Sequence, residues 1–584
     1  MVKVNGVTLI ERMLRQLESQ HLSRIVIVVG YKGQKLIDFI AMLDIQTPIV
    51  YVNNPIYDKT NNIYSLFLAR DYLCKEDTLL LESDLIFEDA VLAELVNDPR
   101  ETLALVDKYE SWMDGTCMRV TADDKITAFI SGKNFDFKDI AGCYKTVNIY
   151  KFGRHFSENL YVPFLDAYSK ALGNNEYYEQ VLRVITILDE PEIRVKRLDT
   201  LRDEEKALRW YEIDNEQDLD IAESMFAPDD DEKLVLIQRR YGGYWRYPKL
   251  LDFCYLINPY FPPQKLLDEI TANAKELLTQ YPSGMKVNSL LAAKNFGVHE
   301  ENILIGNGAA ELIKLLMQKL SGKVGFVRPT FEEYPNRYEK AESIYFTPQN
   351  ENFSYNVDDL TNFFSDKEIT ALVVVNPDNP SGNFIAKREL IRLIDWAAAK
   401  NIRLIIDESF VDFADENETL IEQKVLDANK NLCVVKSLSK SHGIGGLRLG
   451  VLASGNQELI ADLKRDEVIW NINSFAEFYM QIFEKYKRTY FDALKRFREE
   501  RERFSAELEK ISGVRVVPSA ANFIMIELAN HSARELCKNL LIRSNIFAKD
   551  LSEKIRGKNY LRVAVRTAAD NDRLIDALKR ELLP

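Results

Sequence analysis

The sequence is short of the residues on which several common chemistries depend. It has five histidines in 584 residues, with no HxH or HExxH spacing, so histidine-based metal chemistry has no pattern to start from. Its six cysteines, Cys74, Cys117, Cys143, Cys254, Cys433 and Cys537, are scattered, and none belongs to a CxxC pair. That excludes a disulfide framework or a thiolate zinc site as the organising device and fits a reducing cytoplasm. No run of roughly 20 apolar residues occurs, so no membrane span is expected. The first twenty residues lack a basic-then-apolar signal pattern. Basic residues are in deficit, with 76 Lys and Arg against 90 Asp and Glu, a formal charge of −14. This argues against nucleic acid or an anionic membrane as partner. Low-complexity tracts and short-period repeats are also missing.

What remains is the composition of a globular protein, 46% hydrophobic and 28% charged. The length exceeds one ordinary core. The clearest composition shift is the acidic, proline-containing run Ala227–Glu232, which reads as a solvated linker between a domain at 1–226 and one at 234–584. Apolar, β-branched runs alternate with helical patterns on both sides of it. Before it they include Arg24–Tyr31, Pro48–Asn53 and Thr78–Asp84, with helical spacing at Leu36–Leu43 and Asn62–Leu73. After it they include Leu372–Pro377, Arg403–Asp407 and Leu432–Lys440. The alternation predicts α/β layers with largely parallel sheets. Polar residues gather at the C-terminal ends of these runs, where open α/β sheets bind ligands.

Four segments of the second half carry chemistry. Gly306–Ile313, GNGAAELI, places small residues at the start of a helix. Free N–H groups there suit a phosphate, although a plain strand-to-helix turn reads the same way. In Asn376–Gly382, NPDNPSG, two X-Pro steps stiffen a loop after a strand and orient Asn379. Asp407 closes the strand RLIID, and a buried carboxylate there needs a cationic partner. SLSK ends at Lys440 and is followed by GGLRLG, so Ser437, Ser439 and Arg448 offer hydroxyls and a guanidinium fork around a lysine.

In that order these motifs resemble the fold-type I pyridoxal-phosphate (PLP) enzymes of aminotransferase class I/II, most closely histidinol-phosphate aminotransferase and threonine-phosphate decarboxylase. The resemblance covers about residues 258–583. It implies a large α/β domain at about 280–480 and a small α+β domain built from 234–279 and 481–584. It also implies Lys440 as the Schiff-base lysine and proton shuttle, Asp407 against the pyridine nitrogen and Asn379 on the phenolic oxygen. Gly308, Ala309, Ser437, Ser439 and Arg448 would hold the phosphate, and Phe331 would stack on the ring. Arg562 would clamp the substrate carboxylate. Tyr281 would reach the phosphate of a neighbouring subunit, which implies a homodimer. Phe410 stands where the aminotransferases carry tyrosine, and DESFVDF is closer to the decarboxylase pattern. Transamination of a small or phosphorylated amino compound is the first expectation, and decarboxylation of a phospho-amino acid its alternative.

The first half resembles a choline-phosphate cytidylyltransferase-like nucleotidyltransferase, a Rossmann-like α/β domain. The carrying segments are VKVNGVTLIERML at 2–14, VIVVGYKGQ at 26–34, NPIYDKTNNIYSL at 54–66, LESD at 81–84, NIYKF at 148–152 and WYEIDNEQDL at 210–219. The resemblance implies CTP or another nucleotide as substrate. It implies Asp84 and Asp214 as Mg²⁺ ligands, and activation of a phosphorylated amino-alcohol or phosphonate for surface glycan or lipid synthesis. Trp112, Tyr144 and Tyr178 are candidates to cage a cationic head group, or else core or surface aromatics. The family's first strand and Gly-rich loop have no counterpart here. The expectation is therefore weak nucleotide binding by the sequence as it stands, or a non-catalytic binding module on a working PLP enzyme.

Overall fold

The structure, a computed structural model, describes residues 1–188, 193–200, 208–247, 249–415 and 418–582. It divides into two compact units, Met1–Leu250 and Leu251–Pro584. The division falls later than the acidic run suggested. Asp229 accepts a hydrogen bond from the Glu232 amide at 2.8 Å and caps a helix over Asp230–Arg239. Asp230, Asp231 and Glu232 then occupy its first turn, where carboxylates complement the helix dipole. The residues that read as a solvated linker are thus a helix start.

In the first unit the strands fall near the expected segments, but their directions differ from a parallel sheet. Ile25–Val29 and Ile49–Asn53 pair in parallel as a sheet of two. The larger sheet is organised by the ten-residue strand Cys143–Phe152, which runs antiparallel to Thr78–Leu81, Leu103–Lys108 and Cys117–Val120. Among the described residues, Arg194–Arg197 alone joins that sheet in parallel. Local periodicity locates strands but carries no information on pairing direction. Here the hairpin Cys117–Val120/Ile126–Ile130 turns the chain back before its longest strand.

In the second unit a seven-stranded sheet has the order Ile303–Asn307, Leu449–Ser454, Leu432–Ser437, Arg403–Asp407, Ile369–Val375, Lys323–Val327, Ser343–Phe346. Leu449–Ser454 is antiparallel to both its neighbours, and the remaining pairs are parallel. Both faces are covered by apolar clusters, as continuous runs such as LVVV require. The antiparallel strand begins at the edge where the others end. Arg448 therefore lies at the same edge as Gly308, Asn376, Asp407 and Ser437. A second, antiparallel sheet of Val514–Val517, Phe523–Leu528, Tyr560–Ala564 and Lys549–Asp550 carries Arg562.

Gly443, three residues beyond Lys440, has φ +64, and a Cβ there would lie 1.8 Å from the Phe261 carbonyl oxygen. Gly443→Ala is expected to destabilise the chain by about 1–3 kcal/mol, read as a lower denaturant midpoint. An unchanged midpoint would contradict this packing.

Candidate active site

Asp407 ends the central strand of the seven and is 2% exposed. One of its oxygens accepts the Ser409 amide at 2.8 Å and the other the Tyr334 hydroxyl at 2.8 Å. Burial raises its pKa, against those hydrogen bonds and the nearby Lys440. A cationic partner at this carboxylate would remove that penalty. Ser409 also accepts the Ser437 amide on its hydroxyl at 3.0 Å, tying the strand of Asp407 to the turn of Lys440. Neither Tyr334 nor Ser409 was identified in the sequence. Tyr334 is three residues from Phe331 and fully buried, a burial that PTFEEY alone does not reveal.

Lys440 lies in the short helical turn Leu438–Ser441. Burial, followed by the guanidinium groups of Arg562 and Arg448, pushes its pKa down to about 8, against the influence of Asp407 and Cys254. An amine with that pKa is partly neutral near physiological pH and able to attack a carbonyl. Arg562 donates to the Asn379 side-chain oxygen at 2.7 Å and to the Cys254 carbonyl at 2.8 Å. It thereby links the small antiparallel sheet to the NPDNPSG loop.

The residues expected at the phosphate are packed closely together. Gly308 has φ +82, and a Cβ on it would lie 2.5 Å from an Arg448 guanidinium nitrogen. Gly450 is packed as closely, since a Cβ there would meet the Ala309 amide nitrogen at 2.5 Å. The Ser439 hydroxyl is buried with no hydrogen-bond partner in the structure, an unmet polar group of the kind a ligand oxygen satisfies. Phe331 is 39% exposed beside Tyr334. Lys440, Asp407, Asn379, Gly308, Ala309, Ser437, Ser439, Arg448 and Arg562 thus come from one sheet edge and the small sheet beside it, and they fit PLP. Tyr281 stands apart from them, 79% exposed and stacked on Trp470 at 4.4 Å. Phe410 packs edge-on against Phe523 at 5.2 Å, and the Arg562 guanidinium lies 5.3 Å from that same ring.

The first unit holds a second cluster. Glu82, Asp84 and Glu212 each offer a carboxylate oxygen, all within 4.8 Å of one another. Burial, then the charges of Glu179, Asp84 and Glu212, push Glu82 up to about 8. Burial also raises Asp84 and Glu212. Asp84 keeps one buried oxygen without a partner. Lys145 lies 3.1 Å from Glu212. Asp214 is exposed and lies outside the group of three, but its charge acts on Glu212. Glu82 and Glu212 were not singled out in the sequence, although LESD and YEID contain them. The three aromatics have separate neighbours. Trp112 stacks on Tyr211 at 4.2 Å, Tyr144 faces Lys108 at 4.7 Å and Arg197 at 5.1 Å, and Tyr178 meets Tyr150 at 5.8 Å.

Two predictions follow from the PLP site. Tyr334→Phe removes a hydrogen bond to a buried carboxylate and is expected to raise the Kd for PLP about tenfold, measured by fluorescence titration of the apo-protein. The capture rate of PLP by apo-protein is expected to rise with pH through about 8, where Lys440 loses its proton. A flat rate from pH 7 to 9 would contradict that.

Comparison with known proteins agrees with this geometry. Residues 249–578 match the family model "Aminotransferase class I and II". CMP-5'-(3-aminopropyl)phosphonate synthase of Streptomyces rubellomurinus is 31% identical over 98% of this chain and 90% of its own length. L-serine phosphate decarboxylase of Sulfurospirillum multivorans is 35% identical over 56% of this chain and 87% of its own. A solved structure of a decarboxylase from Sulfurospirillum multivorans superposes with a TM-score of 0.52 at 32% identity, covering 58% of this chain and 97% of that one. The histidinol-phosphate aminotransferase of Clostridium acetobutylicum gives 0.51 at 27% identity, covering 57% and 99%. With its lysine, carboxylate and phosphate cradle at one sheet edge, the chain belongs to the class I and II aminotransferase family, with the fold of the PLP-dependent enzymes.

Proposed function

We propose that the second unit is a PLP-dependent decarboxylase of a small amino acid carrying a phosphate or phosphonate. In this reading the first unit is a cytidylyltransferase that activates the resulting amine as a CMP adduct. The observation that carries the decarboxylase reading is Phe410, seated on Phe523 next to Arg562. No hydroxyl is available at that position to hydrogen-bond the cofactor's phenolic oxygen. The serine-phosphate decarboxylase likeness points the same way. When bound, PLP supplies an electron sink for the carbanion left at the substrate α-carbon. Asp407 keeps the ring nitrogen cationic, the Gly308–Arg448 cradle and Ser439 hold the phosphate, and Arg562 orients the substrate carboxylate. Lys440 holds the cofactor and returns a proton to the α-carbon. Transamination remains the second reading, favoured by the likeness to histidinol-phosphate aminotransferases. A homodimer through the second unit is part of the proposal, supported by the exposed Tyr281–Trp470 stack and by Val468 and Ile469, 66% and 71% exposed.

For the first unit, Glu82, Asp84 and Glu212 would hold Mg²⁺, with Asp214 near them. Hard carboxylate oxygens and the unmet Asp84 oxygen suit that ion. It would neutralise the nucleotide phosphates during transfer, and Lys145 would steady Glu212.

The experiment is to incubate PLP-loaded protein with phosphoserine, phosphothreonine or the matching phosphonate amino acids, and to assay CO₂ and keto acid. Release of CO₂ with the cofactor's absorbance restored is expected. A keto acid with accumulation of the pyridoxamine form would establish the second reading instead. With CTP, Mg²⁺ and 3-aminopropylphosphonate, slow pyrophosphate release at a high CTP requirement is expected in wild type, in keeping with weak nucleotide binding, and a loss of about 100-fold or more in Asp84→Asn. Equal release by the variant would remove Asp84 from the metal site.

A further inference from the structure

The turn that carries Lys440 is gripped from behind by a buried polar network. Asp412 lies just after Phe410, and its side chain gathers three donors. Lys436 Nζ donates to one oxygen at 2.6 Å; the Ser441 hydroxyl at 2.7 Å and the Tyr490 hydroxyl at 2.9 Å donate to the other. Lys436 lies two residues before the turn, near the end of the strand Leu432–Ser437, and Ser441 immediately follows Lys440, so one carboxylate contacts the chain on both sides of the lysine. Tyr490 belongs to the long helix Lys487–Glu509. The same helix donates to the backbone of the Asp412 segment through Arg498, to the Asp412 carbonyl at 3.4 Å, and Arg501, to the Phe413 carbonyl at 2.8 Å. From the other side, Asn258 donates its amide N–H to the Lys440 carbonyl and its side-chain NH₂ to the Ser441 carbonyl, each at 2.9 Å.

A buried ion pair is a weak source of net stability, because desolvation offsets most of the attraction. Lys436 is 3% exposed and Asp412 15%, and Glu408, fully buried, adds a second carboxylate nearby. Replacing a buried ion pair by apolar residues of similar volume is often neutral for stability. What the ionic arrangement adds is direction, since the acceptors of one rigid carboxylate fix the Cα positions flanking Lys440. A lysine amine sits at the end of a flexible four-carbon stem, and its aim depends on that anchor. Displacement of a reacting group by about 1 Å costs on the order of a hundredfold in rate.

We infer that Asp412 is the positioning residue of the PLP lysine. Through Ser441 and Lys436 it fixes where Lys440 presents its amine, without touching cofactor or substrate. The inference rests on the assignment of Lys440 as the lysine that holds PLP. The groups whose charges act on that amine, Arg562, Arg448, Asp407 and Cys254, are left intact by substitutions in the network.

The test uses full-length apo-protein with Ser441→Ala, Tyr490→Phe and Asp412→Asn, each compared with wild type for PLP Kd, for capture rate against pH, and for thermal midpoint. Ser441→Ala leaves the Lys436–Asp412 pair in place and keeps the proposal testable if Asp412→Asn fails to fold. Expected for Ser441→Ala is a PLP Kd raised about tenfold, the loss of one hydrogen bond to a charged acceptor, with the midpoint of the pH–rate curve moved upward as the loosened amine meets water. Tyr490→Phe is expected to shift both in the same direction. Wild-type Kd and wild-type pH midpoint in both variants, with only the thermal midpoint lowered, would make the network merely structural and overturn the inference. Lys440→Ala separates the two claims. If it captures PLP as wild type does, the lysine assignment falls, and the positioning role falls with it.

Discussion

A carboxylate buried at the end of the central strand constrains the second unit more than any other group. Asp407 cannot be left ionised in an apolar sheet without compensation. The hydrogen bonds from Ser409 and Tyr334 satisfy oxygens but bring no charge. The strand order supplies the rest. Lys440, Arg448 and Arg562 converge at this edge, where burial and then the two guanidinium groups lower the pKa of the lysine. An anionic, phosphorylated ligand with a cationic ring nitrogen satisfies both excesses together. The sheet's one reversed strand matters for the same reason, because only a strand starting at this edge delivers Arg448 to Gly308.

The fold of the second unit was largely legible in the sequence because its candidate site residues sit at strand ends. GNGAAEL, NPDNPSG, DESF and SLSK are short motifs attached to strongly apolar runs, so position and residue type coincide. Residues that act by burial were not legible. Tyr334 reaches Asp407 across 73 positions, and Asp412 meets Tyr490 across 78. No local pattern encodes either meeting. The acidic run at 227–232 was misread because carboxylates that look solvated also start helices, and the Asp229 cap decides between the two.

The first half shows the opposite balance. Its strand positions were legible, but its pairing directions were not. The candidate metal cluster includes one expected aspartate, and its other two members lie two residues before Asp84 and Asp214. Asp84 belongs to it, whereas Glu82 and Glu212 take the neighbouring places where Asp214 was expected. Glu82 and Asp84 lie in the turn between Thr78–Leu81 and Leu85–Phe87, and Glu212 pairs in register with Leu85, next to Asp84.

The most direct test of the central claim is chemical trapping. PLP-loaded protein would be reduced with borohydride, digested and mapped by mass spectrometry. A pyridoxyl mass increment on the peptide containing Lys440, and on no other lysine at comparable yield, is the predicted result. An increment on another lysine, or none on Lys440 in protein that has bound PLP, would contradict the site described.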